Sequence, residues 1–319
     1  MNWASVKNML ILMLVAANVF LLYNISVQRR SLEYIDEDEV ADAVSLLYDR
    51  GLSVDIGCVP LRRFDAEIYE SVYGEDYFNR TAELLSGSKR QNATIIPNGM
   101  MIVTENDDLF EFDNSLGFSY TKNNNNQTAA YTEINADNFD DYAAVYQKPN
   151  KSQASDVEDI VVSFLSAGYG SESLFDIRVD GCILEPATGN YYIKASQLID
   201  GLVVYGHGVI CVVSDGELVA ASGHWYFFDF DTSYNSDLYD QVNILFSDLE
   251  TLLSRRESEN AQGSEEPLPG VVSVDACFTT YWNAEKTALY FIPSWQLGHS
   301  DGTLIVYNAA NSTEYLSTR

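Results

Sequence analysis

The stretch Tyr191-Tyr192-Ile193-Lys194-Ala195-Ser196-Gln197-Leu198, closed by Asp200-Gly201, has a faint echo near the carboxyl end. There the chain reads Leu289-Tyr290-Phe291-Ile292-Pro293-Ser294-Trp295-Gln296-Leu297 and then Asp301-Gly302. Both stretches are rich in aromatic and aliphatic side chains and run into an Asp-Gly pair, the signature of a strand entering a turn. Each is also preceded by a helical pattern. Val157, Ile160, Val161, Phe164 and Leu165 follow the i, i+3, i+4, i+7, i+8 spacing, behind a capping-box-like Ser155-Asp156-Val157-Glu158. Val242, Leu245, Phe246, Leu249, Leu252 and Leu253 make the corresponding stripe of the second copy. Residues 155–230 and 237–310 are therefore expected to be two copies of one unit, a helix packed on an antiparallel sheet, within a carboxyl-terminal domain of 155–319. Arg256 to Gly270, rich in Glu, Ser and Pro, reads as a flexible insertion in the second copy.

The preceding region, 31–150, reads as another α+β unit. Asp36 with Glu39 opens a helix, Val40, Val44 and Leu47 give it an apolar stripe, and Gly51 ends it. A strand is expected over Leu52–Val59 and a helix over 65–86 with a break at Gly74. Short strands follow at Ala93–Ile96, Met100–Thr104 and Leu109–Phe112, and Gln147–Ala154 reads as a linker.

The amino-terminal end differs in kind. Met9 to Val27 is a run of 19 residues without a charge. As a helix it would measure about 28 Å, close to the hydrocarbon thickness of a bilayer. Its exit offers no Ala-x-Ala cleavage pattern, so the reading is a retained transmembrane helix over 9–27 behind an eight-residue end, 1–8. Lys7 on one flank and Arg29 with Arg30 on the other leave orientation close to a tie. Asn18 sits mid-span on a face shared with Ile11, Leu14, Leu21, Leu22 and Ile25. An amide at that depth seeks an interhelical partner, which makes this face the candidate binding surface.

Function classes are narrowed by charge. With 47 acidic against 18 basic residues and a formal charge of −29, the chain lacks the basic face that phosphate contacts need. Nucleic acid is excluded as a partner, and docking on anionic lipid surfaces is disfavoured. Chemistry is sparse as well. His207, within Gly206-His207-Gly208, His224 and His299 stand in no recognised catalytic motif and read as strand histidines. Asp229-x-Asp231-x-Ser233 resembles the start of an EF-hand loop, but Tyr234 replaces its glycine and Asp240 its glutamate. Cys58, Cys182, Cys211 and Cys277 show no zinc spacing. Either Cys182 and Cys211 cross-link neighbouring strands, or the cysteines are small buried thiols. The expectation is a protein without catalytic residues, metal or cofactor.

Met1-Asn2-Trp3 followed by Ala17-Asn18-Val19-Phe20-Leu21-Leu22-Tyr23 resembles the opening of YycI (WalI) proteins. So do Ala43-Val44-Ser45-Leu46-Leu47-Tyr48-Asp49-Arg50-Gly51 and the distal Ile292-Pro293-Ser294-Trp295-Gln296 with Tyr307-Asn308-Ala309. The four cysteines and the acidic insertion depart from that pattern. The resemblance implies a single-pass protein of the cell membrane, amino terminus cytoplasmic, with an extracytoplasmic domain of YycH- and PepSY-like helix-on-sheet units. It implies regulation of a YycG/WalK-like sensor histidine kinase controlling cell-wall metabolism, together with a YycH-like sister protein. The alternative is an anchored PepSY-like binding or protease-inhibitory module with an unrelated partner.

Overall fold

A computed structural model describes residues 13, 18, 34–72, 76–123, 131–259, 267–283, 285 and 287–318. Among the described residues, five helices can be delimited: α1 (Glu37–Asp49), α2 (Tyr77–Ser86), α3 (Phe139–Ala143), α4 (Lys151–Leu165) and α5 (Gln241–Glu259). Fourteen strands accompany them. In chain order these are β1 (Ile68–Val72), β2 (Arg90–Ile96), β3 (Gly99–Thr104), β4 (Leu109–Asp113), β5 (Gly117–Thr121), β6 (Phe175–Leu184) and β7 (Tyr191–Ile199). They continue with β8 (Leu202–Ser214), β9 (Glu217–His224), β10 (Thr232–Tyr234), β11 (Val271–Trp282), β12 (Ala288–His299), β13 (Leu304–Asn308) and β14 (Glu314–Thr318).

The expected fold class needs correction. The strands do not form separate helix-covered antiparallel sheets behind a transmembrane helix; they belong to one large mixed sheet of 14 strands. Its main path runs β10-β1-β12-β11-β8-β9-β5-β4-β3-β2, with β7 and β6 branching from β8, and β13 and β14 from β12. The sheet is mixed because β11 meets β8 in parallel, at Phe278 opposite Val204. Among the described residues no helix is long and apolar enough to cross a membrane. The run 9–27 lies outside the described residues except for Met13 and Asn18, both helical and exposed.

The chain divides into two units, each discontinuous in sequence. One draws on Met1–Glu67, Asn235–Ala276 and Pro293–Arg319. Its core gathers Val40 and Leu47 from α1, Ile244, Leu245, Leu249 and Leu252 from α5, and Trp295, Ile305 and Tyr307 from the strands. Both helical stripes thus point inward as their spacing predicts. Asp36 caps α1 through its side chain, which accepts from the Asp38 amide. Residues 52–59 are not a strand. Val54 makes a lone bridge to Val271, and Asp55, accepting from the Gly57 amide, turns Ile56–Cys58 into a 3-10 helix. Residues 256–259 of the expected insertion continue α5, and 260–266 lie outside the described residues.

The other unit comprises Ile68–Tyr234 and Cys277–Ile292. Helix followed by a four-stranded antiparallel meander occurs twice in it, as α2 with β2–β5 and as α4 with β6–β9. The first half of the expected helix 65–86 is instead β1, whose Ile68 and Tyr69 suit a strand flanked by β10 and β12. Helix α4 begins a turn earlier than Ser155 suggests. Asn150 and Gln153 form a reciprocal capping box, so the second half of the expected linker, 151–154, is helical. Aromatic rings fill the interior: Phe230 lies 4.4 Å from both Tyr69 and Phe175, and Phe291 packs 5.5 Å from Tyr226.

Candidate functional site

The hairpin of β7 and β8 starts cleanly at the Asp200-Gly201 turn, with Ile199 opposite Leu202 and Leu198 opposite Val203. The register then jumps, and the next pair is Ser196 with Gly208. Residues 204–207 of β8 therefore stand against the single residue Gln197 of β7. Such bulges bend a strand and re-aim its side chains. Gly206 makes the bend with a φ of +78°, in the left-handed region that L side chains avoid. Gly223 of β9, with a φ of +149°, allows a close approach: a Cβ there would lie 2.1 Å from the Gly208 carbonyl oxygen.

Gln197 is wholly buried inside the bulge and uses both ends of its amide. Its Nε2 donates to Tyr169 Oη at 2.6 Å and to the Tyr226 carbonyl at 2.7 Å. That direction makes Oε1 the acceptor, so His207, 2.6 Å away, donates from Nδ1. Burial pushes the His207 imidazolium down to about 3, with repulsion from His224 adding to it. The ring is therefore neutral near pH 7, and its Nε2 carries a lone pair. Among the described residues no group hydrogen-bonds to that nitrogen.

His207 lines a groove of about 740 Å³. Glu111, Asp113, Asp137 and His224 border it, whereas the rings of the neighbouring Phe112 and Phe118 turn to the other face of the sheet and pack on Phe78 and Phe227. Asp113 is held by the Ser115 amide and hydroxyl, both at 2.7 Å, and by the Gly117 amide at 2.8 Å. Burial alone would raise its carboxyl, but these hydrogen bonds, with His224, hold it below the ordinary carboxylate range. The groove thus joins apolar walls to an acidic border and a neutral acceptor. Among the described residues no hydroxyl or thiol hydrogen-bonds to His207. The nearby Ser196 hydroxyl is given to Asp180. The geometry suits recognition of a donor-bearing ligand better than nucleophilic attack.

Two further polar clusters are internal. In the first unit, Asp248 accepts from His299 Nε2 at 3.0 Å and from the Tyr307 hydroxyl at 2.8 Å, with all three residues buried. His299 Nδ1 is buried without a partner. In the second unit, Glu185 accepts from the hydroxyls of Thr132, Tyr146, Thr188 and Tyr192 at 2.7–3.1 Å.

The residues singled out in the sequence fall in different places. Asn18 is exposed on a helix, while Ile11, Leu14, Leu21, Leu22 and Ile25 lie outside the described residues. Cys182 and Cys211 are not on neighbouring strands. Both stand opposite Ile193, one on each side of β7, and both are free thiols. Two strand spacings make about 9.5 Å, and a disulfide needs α-carbons within about 7 Å. Asp229 accepts from the Gly170 amide at 2.8 Å. Among the described residues no group of three or more His, Cys, Asp or Glu side chains is arranged to hold a metal ion. The groove itself was missed; its one signal was a histidine between glycines in a strand run, a pattern that marks bulges. No family model matches the chain, and no curated protein matches it.

Proposed function

We propose that this chain is a non-enzymatic regulatory protein, tethered at the cell membrane by the apolar run 9–27, with its acidic body outside. On this reading it binds a YycG/WalK-like sensor histidine kinase, alongside a YycH-like sister protein, through the face of Ile11, Leu14, Asn18, Leu21, Leu22 and Ile25. The observation that carries the reading is the exposed, helical Asn18, a polar amide within a run free of charge. An amide so placed gains most from a partner's polar group.

Regulation then follows from differential affinity, since a ligand that binds both signalling states equally shifts nothing. An interhelical amide bond contributes about 0.6–2 kcal/mol, roughly a 3- to 30-fold change in the kinase's conformational equilibrium. That magnitude fits graded tuning rather than an all-or-none switch. The test is co-purification from detergent-solubilised membranes. Asn18→Leu is expected to lower recovery of the kinase, and undiminished recovery, together with no kinase captured by a crosslinker at position 18, removes this face from the mechanism.

The groove beside His207 favours a second reading, a tethered PepSY-like binding module with an unrelated partner. Gene neighbourhood separates the two: a kinase and response regulator alongside favour the first, a peptidase the second.

A further inference from the structure

We propose that the groove beside the β8 bulge is a binding site for an alkylammonium group, carried by a lysine side chain or by a free polyamine. Two independent features converge on that chemistry. The first is His207, a lining residue only 6% exposed, whose Nε2 has no hydrogen-bond partner among the described residues. Because Nδ1 is committed to Gln197, the nitrogen left over is an acceptor and selects for a donor. The second is the border: Glu111, Asp113 and Asp137 supply carboxylates, and among the described residues no Lys or Arg lines the groove. Those carboxylates favour a cation over a neutral donor.

The walls complete the match. Ile96 and Val203 give apolar surface along which a methylene stem lies while its charged end reaches the carboxylates. A volume of about 740 Å³ lies within the range of small-ligand sites. The proposal does not depend on the kinase as partner and stands if that reading fails.

The test is calorimetric titration of the full chain in detergent micelles. N-acetyl-trilysine amide and spermidine are the probes, and N-acetyl-trilysine amide with all three side chains acetylated is the uncharged control. Saturable binding of either charged probe, at least about tenfold tighter than the control, is expected; the tighter one identifies the source of the ammonium. Glu111 and Asp137 are both exposed, so the double variant Glu111→Gln/Asp137→Asn is expected to melt as the parent does while losing about tenfold in affinity. His207→Phe, which removes the acceptor, is expected to weaken binding further. Equal binding of the acetylated control overturns the site. So does an equal loss in Glu37→Gln/Asp38→Asn, which alters exposed acids on α1 and would mark mere attraction to a chain of charge −29.

Discussion

His299 Nε2 lies 3.0 Å from Asp248 Oδ2, and both side chains are sealed from water. Burial works against charge on the ring, but the hydrogen bond and negative charge of Asp248 outweigh it and raise the His299 pKa above the ordinary histidine value. A raised folded value means the contribution to stability is complete below the unfolded pKa and fades as pH climbs through the folded one. The stability gap between the parent and His299→Gln should therefore narrow as pH rises above the ordinary histidine value in urea melts. A gap that widens over that range would contradict the assignment. His299→Ala, which leaves the Asp248 carboxylate buried beside Tyr307 alone, should cost about 3–5 kcal/mol.

Glu185 behaves in the opposite sense. Burial would raise its carboxyl, yet four hydroxyl donors together hold it below the usual glutamate value. A depressed value stabilises the fold above the unfolded pKa and is lost as pH falls through the folded one. Because Thr132 and Tyr146 come from one segment and Thr188 and Tyr192 from another, acid should release 131–146 early. Hydrogen exchange at decreasing pH should show this segment exchanging before β7. Glu185→Gln should cost about 2–3 kcal/mol at neutral pH.

Gly206 and Gly223 make separable predictions. A Cβ at Gly206 meets open space, so Gly206→Ala carries only the left-handed penalty of about 1–2 kcal/mol. At Gly223 the Cβ would strike the Gly208 backbone, and Gly223→Ala adds overpacking of about 1–3 kcal/mol to that strain. Chemical denaturation should rank the two accordingly, and the reverse order would discredit the bulge register.

Thiol chemistry checks the strand order independently. Burial, with Glu158 nearby, pushes the Cys182 thiol up to about 12, and burial with Asp55 and Asp275 pushes Cys58 up to about 11. Neither should alkylate quickly at pH 8, whereas both should react once the chain is denatured. Intact mass without reductant should show no loss of the two hydrogens that a Cys182–Cys211 bridge would remove.

Local patterns were readable to the degree that they are local. The α5 stripe, the Asp36 cap and the Asp200-Gly201 turn follow from spacings of two to eight residues, and the structure keeps all three. Residues 65–72 were misread because an isolated apolar stretch carries no record of flanking strands as distant as β10 and β12. The same holds for the mixed sheet, since Phe278 and Val204 meet across a long interval of chain. His207 stood out in the sequence, but its role depends on Gln197 filling a register jump, which only the pairing of β7 with β8 reveals. Of the two cysteine readings, the disulfide failed for a like reason: two cysteines in apolar strand runs say nothing about the strand between them.

The discontinuous unit that joins residues before Glu67 to those after Pro293 has a bearing on how the molecule is made. Ribosomes extend a nascent polypeptide at about 5–20 residues per second, so the partners Trp295 and Tyr307 emerge roughly 10–50 seconds after Leu47 does. Throughout that delay the stripe of Val40 and Leu47 has no strand of its unit to lie against. Its maturation waits on residues 293–309, and a stop codon placed before them would cripple the region around Leu47 as surely as the strands it removes.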